Sequence, residues 1–393
     1  MTPLKWFSGF LKKYRLAIVI GLVLMTVIVA CAIVNPYISG MIVDDVIQGG
    51  AYDLLPKLIG IMLAVTAVRA ILRYATQMMF ETCSQGVLYR MRDAVYRKLL
   101  QEDFAFYNRN RTGDLMSRQT GDMDAIRHFV AFVIYTVYEN ILMFIFALVM
   151  IFMVNVKLAL CMMAVLPFCL FTTYLQSKHV KPRFHECRQS FSSLNAFVQE
   201  NISGNRVVKA FAKEEYEKEK FEKENDKYRE AELGAASIWC RFVPIFELLS
   251  NLLMVVLILY GGYQVICGEM TLGNLVTVNG YLWMLSNPLR FAGWWVNDVQ
   301  RFITSVEKIY DTYSKEPDVK KPKKGIKRKE MQGNIEFRNV SYEVEGEDII
   351  HNISFSVEKG QTVGILGSTG AGKSTIMNLL CRFYDVTEGE VLV

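Results

Sequence analysis

Four residues have a chemical purpose written into their spacing. Gly367, Gly372, Lys373 and Ser374 are the fixed positions of G-x-x-x-x-G-K-[ST] in "GSTGAGKS". In such a loop successive backbone N–H groups face phosphate oxygens, the lysine reaches the β- and γ-phosphates, and the hydroxyl binds Mg²⁺. The pattern predicts a site for ATP and Mg²⁺ in which Gly367, Ser368, Thr369, Gly370, Ala371, Gly372, Lys373, Ser374 and Thr375 surround the phosphates. Lys373 is the expected catalytic phosphate contact and Ser374 the expected metal ligand. The flanks suit this chemistry. "QTVGIL" (361–366) reads as a short buried strand, and "KSTIMNLLCRFY" (373–384) has helical periodicity. No second centre competes. The eight cysteines are scattered without a C-x-x-C, and the four histidines have no ligand spacing.

Residues 1–366 precede this loop, and the composition of the chain is that of a membrane protein. Hydrophobic residues make up 52% of the chain and charged residues 21%, below the quarter usual in soluble domains. Residues 16–43 contain no charge; as a helix they reach about 42 Å, enough to cross a bilayer with tilt. Further apolar runs at 58–80, 129–154, 158–175, 242–266 and 275–296 predict six spans in all. Lys or Arg occurs eight times between Gln85 and Arg127 and thirteen times between Lys178 and Arg241, while the other connections are nearly free of them. Positive charge stays in the cytoplasm. Both termini and the two long connections are therefore expected inside, and 48–56 outside, in the cell membrane. The lysines and arginines follow this topology, and no nucleic-acid partner is expected.

The long connections have helical periodicity, so the membrane helices extend far into the cytoplasm and return. "NRNRTGDLMSR" (108–118) and "ENISGNRVVK" (200–209) hold the breakers that mark the tips. Three charges lie within spans. Arg69 and Arg73 are one turn apart on a shared face, and Arg290 follows Pro288; all three are candidates for lining a cavity. Trp294 and Trp295 fit an interfacial belt.

After Ser314 the texture changes again. Residues 315–333 form a basic linker, and from 334 "NIEFRNVSYEV" and "DIIHNISFSVEKG" read as strands. The whole chain resembles the ABC transporters of the exporter type: a membrane domain at 1–314, then the first part of a P-loop α/β ATP-binding domain at 334–393. "FAFYNRNRTGDLMSRQTGDMDAIR" (104–127) and "QENISGNRVVKAFAKEE" (199–215) resemble the family's two coupling segments. The resemblance implies that Thr112, Gly113, Asp114, Ser203 and Gly204 sit at or beside the tips that touch an ATP-binding domain. It also implies a dimer of half-transporters, from two copies or from one with a related partner. One departure stands out. Val344 occupies the place of the family's adenine-stacking aromatic, and Tyr342 shares its strand face, so Tyr342 is the candidate base contact. The 393 residues contain no signature motif, catalytic glutamate or switch histidine of the family, so this stretch alone is expected to be a fragment without turnover.

The expected function is ATP-driven export of an amphipathic, lipid, drug-like or peptide substrate through the bilayer. An importer on the same scaffold is the alternative, separable by the direction of flux in vesicles. A nucleotide-regulated membrane protein without transport is another, separable by substrate-stimulated ATP hydrolysis. A membrane-tethered P-loop enzyme would not need six spans.

Overall fold

The computed structural model describes residues 2–320, 333–344 and 346–393; most of the basic linker lies outside them. The helices run in order: α1 Pro3–Leu11, α2 Arg15–Met41, α3 Leu55–Leu99, α4 Phe104–Arg109, α5 Thr112–Ser117, α6 Met123–His128, α7 Ile134–Val154, α8 Val156–Met163, α9 Leu166–Ser203, α10 Asn205–Ala210, α11 Glu214–Val256, α12 Gly262–Ile266 and α13 Leu272–Ser314. Strands β1 Ile335–Val344 and β2 Glu347–Val357, helix α14 Lys373–Leu380 and strand β3 Glu388–Leu392 follow. The chain folds as two compact units.

The first unit comprises residues 14–84 and 128–300. Among the described residues, four stretches are long and apolar enough to cross a membrane: Pro3–Gln48, Tyr52–Leu99, Thr112–Val154 and Glu214–Ile266. The remaining two expected spans each contain residues whose side chains lie outside the described set. The fourth is also interrupted. Asn155 takes an extended conformation that ends α7, its side chain accepts from the Leu158 N–H at 3.0 Å to cap α8, and Pro167 opens α9. Val29, Ala147, Ile151, Leu158, Leu257 and Val278 form the core of this unit, while Leu63, Ile71 and Met153 are exposed, as side chains facing lipid tails would be. α9 and α11 pair as the expected long hairpin, with its tip at Gly204 and α10.

Near the C-terminal end of α2 and the N-terminal end of α13, the two helices meet backbone to backbone. A Cβ on Gly273 would lie 2.2 Å from the Gly40 carbonyl oxygen, and a Cβ on Gly280 would lie 2.6 Å from Pro36. Gly273 N–H donates to Asp44 Oδ1 at 2.6 Å, and the buried Tyr281 hydroxyl donates to the Ile33 carbonyl at 3.0 Å.

The second unit gathers residues 1–13, 85–127 and 301–393. Trp6 and Phe7 of α1 pack their rings on Tyr313 and Phe302 of α13, each at 5.0 Å. Arg118 bonds the Thr312 hydroxyl, and Asp122 accepts from Ser305 at 2.9 Å. These contacts tie the returning segment to α13. The sheet is three-stranded and antiparallel in the order β2-β1-β3. Phe337 pairs with Phe355 on one side and Val391 on the other, with the two phenylalanine rings stacked at 4.6 Å.

Residues 361–366, expected as a strand, are not one. They run without regular structure, and Leu366 is 96% exposed. An all-apolar strand persists only between hydrogen-bonding neighbours, and among the described residues no strand pairs with it.

Candidate functional site

The phosphate loop leads directly into α14. Gly370 and Gly372 have φ of 88° and 79°, values that side chains with a Cβ resist. Gly372 is also crowded: a Cβ there would lie 3.1 Å from the Ile349 carbonyl oxygen. This seats the helix start against β2. The N–H groups of Gly372, Lys373, Ser374 and Thr375 have no acceptor among the described residues, and together they form an oxyanion cradle at a helix N-terminus. Lys373 Nζ folds back over the loop and donates to the carbonyls of Gly367 and Ser368 at 2.9 and 2.6 Å. A cation is thereby held over the cradle. The Ser374 side chain is exposed at its rim. The loop residues named from the sequence are therefore gathered in one place, and their donors and cation fit a polyphosphate.

Tyr342 stands apart from the phosphate cradle. Its ring lies against Tyr384 at 5.5 Å, and it packs on the sheet core of Phe337, Ile350 and Leu379. It nevertheless lines a cavity of about 510 Å³ shared with Val344, Ile349 and Thr375, so one wall of that cavity belongs to the helix that follows the loop.

The other side of the same cavity belongs to α4. Phe104 stacks on Phe383 with centroids 4.4 Å apart, and Asn108 Nδ2 donates to the Tyr384 hydroxyl at 2.8 Å. Arg109 reaches Asp318 at 3.2 Å. Contact with the segment after the phosphate loop is made by Phe104 and Asn108, while Gly113 has open space where a Cβ would be. Thr112, Gly113 and Asp114 form the start of α5, on the returning side of the tip. The turn is made by Asp103 and Asn110 rather than by glycine. In the other hairpin, Ser203 ends α9 and Gly204 caps it, and Lys209 pairs with Glu214 across the tip at 2.9 Å.

Asp103 deserves its own test. Its carboxylate accepts from the N–H groups of Phe106 and Val319 at 2.9 and 3.1 Å, fastening α4 to the residues after α13. Burial alone would raise its pKa. Backbone donors at Phe106, Val319 and Asp318, with Arg109 nearby, outweigh burial and hold it below the usual carboxylate range. A depressed folded-state pKa gives stability that is present above the ordinary value, about 3.9, and lost as pH falls through the depressed one. Asp103→Ala is expected to cost about 1 kcal/mol, as for other lost N-caps. The melting gap between wild type and mutant should be constant from about pH 8 to 5 and close below about pH 4. A gap that widens on acidification would refute the assignment.

Within the membrane unit, Arg69 and Arg73 of α3 line one cavity of about 470 Å³ with Glu139 of α7 and with Trp283, Trp294 and Trp295 of α13. Arg73 Nη2 donates to both Glu139 oxygens at 2.7 and 2.8 Å. The two tryptophans expected in the belt thus border this cavity. The side chain of Arg290 lies outside the described residues. Glu139 carries no signal at helical spacing from Arg73, because it comes from another helix.

Comparison with known proteins gives a consistent result. A family described as ABC transporter transmembrane region matches residues 18–289, and one described as ABC transporter matches residues 350–393. The uncharacterized ABC transporter ATP-binding protein YknU of Bacillus subtilis is 32% identical over 100% of this chain and 68% of its own. The probable multidrug resistance ABC transporter ATP-binding/permease protein YheI of the same organism is 33% identical over 99% of this chain and 67% of its own. An ATP-dependent lipid A-core flippase of Syntrophus aciditrophicus is 27% identical over 89% of this chain and 58% of its own.

Proposed function

The chain belongs to the ABC transporter family, and from that membership we propose how its residues divide the work of export. It is a multi-pass membrane protein and one half of an ATP-driven exporter, binding nucleotide and working with a second half-transporter. In our reading the phosphates lie on the 367–375 loop, Lys373 contacts the terminal phosphates, and Mg²⁺ is held by the Ser374 hydroxyl. Mg²⁺, when bound, neutralises phosphate charge; every other contact named here comes from the chain. Six spans place 48–56 outside and 88–127 and 178–240 inside the cytoplasmic membrane. The substrate is amphipathic, in keeping with relatives named for multidrug and lipid A-core transport.

The observation that carries the coupling is the seat of α4 on Phe383 and Tyr384, three and four residues beyond α14. Displacement of α14 on closing over nucleotide passes through a ring stack and a hydrogen bond to the end of α3. Such a ligand shifts the transporter between states only by contacting one state better. The experiment is flux in proteoliposomes of the full-length transporter. Phe104→Ala should retain ATP turnover while transport per ATP falls about tenfold, the effect expected for loss of a ring pair and its buried area. Equal losses of turnover and transport would refute coupling at this contact. Orientation is tested separately: Arg118→Cys should resist an impermeant thiol reagent in sealed right-side-out vesicles.

A further inference from the structure

The charges of the membrane cavity are unevenly balanced. Arg73 is neutralised by Glu139. Asp298 of α13, also on the cavity, faces His128 Nε2 at 3.7 Å. Arg69, one turn from Arg73 on the same wall, has no hydrogen bond or ion pair among the described residues. It lies eleven residues from the start of its span at Leu58, about 16 Å down a helix and so near the middle of a core about 30 Å thick. That is farther from either interface than its side chain reaches. An isolated arginine at that depth is costly, and such residues face water-filled cavities and serve substrates. Around it the walls are aromatic. The rings of Trp283, Phe291 and Trp294 are 58%, 44% and 59% exposed and border the same cavity. The volume suits a drug-sized ligand.

We propose that this cavity binds a single-chain amphiphile with one anionic head, which pairs with Arg69 while its apolar body lies on Trp283, Phe291 and Trp294. The proposal rests on the exporter reading and names the substrate class for it. A cationic amphiphile fits less well, because the acidic groups of the cavity already pair with basic ones, Glu139 with Arg73 and Asp298 with His128, whereas Arg69 makes no ion pair among the described residues. Arg73 and Glu139 position the wall and leave Arg69 as the cation available to a ligand.

The test uses the full-length transporter in nanodiscs of zwitterionic phosphatidylcholine, with 12-bromododecanoate as probe and tryptophan emission as readout. The acid should quench at a concentration about tenfold or more below that of 12-bromododecanol, as a charge-assisted contact implies. Arg69→Gln should erase the difference and Arg69→Lys should keep most of it. Trp283→Phe should lower the quenching amplitude. Equal quenching by acid and alcohol in wild type would overturn the proposal, as would a preference for the acid that survives Arg69→Gln. Tighter binding of the matching bromododecyl trimethylammonium would overturn it too. The wild-type comparison decides even if a variant does not fold. ATP turnover in the same nanodiscs reports separately on the exporter reading: acid preference without turnover refutes the exporter, and turnover without acid preference refutes the site.

Discussion

Lys373→Ala should abolish ATP turnover and transport in the full-length protein and leave it folded in the membrane. The lysine is a flexible point charge over the phosphate cradle, and two loop carbonyls are its partners in the structure. Its removal takes positive charge from the place where the transition state of phosphoryl transfer gathers negative charge. Loss of one such contact costs about 3 kcal/mol or more, a hundredfold or greater in rate. The fold is insensitive to it, because α14 is anchored by the buried Ile376 and Leu379. Ser368→Ala is the control. Ser368 offers Lys373 its carbonyl, which alanine retains, so turnover should stay near wild type. Purified protein and a size-exclusion profile for each variant provide the measurement. Near-normal turnover for Lys373→Ala would remove the site from this loop.

Arg73→Ala should destabilise the membrane unit. Glu139 is 6% exposed on its side chain, and Arg73 is its ion-pair partner. Arg73 is 39% exposed on its side chain, so its loss costs less than the ~3–5 kcal/mol of a fully buried pair, yet it takes the ion-pair partner from the buried Glu139. The double variant Arg73→Met with Glu139→Leu should recover most of the loss, since an apolar pair of similar volume avoids both desolvation costs. Thermal unfolding of the full-length protein in detergent gives the result. If the single and double variants are equally unstable, the pair contributes through packing alone.

Much of the architecture was legible in the sequence because bilayers and phosphates impose strict demands. Uncharged runs such as 16–43 have few other uses, and the G-x-x-x-x-G-K-S spacing has one familiar chemistry. Helical periodicity also located the long hairpin of α9 and α11. What escaped depends on partners distant in sequence. Glu139 lies 66 residues from Arg73, and no spacing rule connects them. The contact of Phe104 and Asn108 with Phe383 and Tyr384 was hidden because the glycine at 113 looked like the tip, whereas Asp103 builds the turn with a side-chain cap. The strand expected at 361–366 shows the opposite error. Its apolar run was read from the sequence alone, but a strand also needs neighbours, and that requirement is not written in its own residues.

The glycine contact between α2 and α13 limits which motions these two helices can make. Two helices touching backbone to backbone at Gly40 and Gly273 cannot slide past each other by a residue. An axial step would bring Met41, Leu272 or Asn274 into a gap that lacks room for a Cβ. Shear is therefore barred, and parting is what remains. Parting must break the Gly273–Asp44 and Tyr281–Ile33 hydrogen bonds and let the Pro36–Gly280 contact open. These contacts lie along one seam, so a partial opening forfeits packing without admitting water to replace the bonds. The seam thus constrains α2 and α13 to move apart rather than along one another.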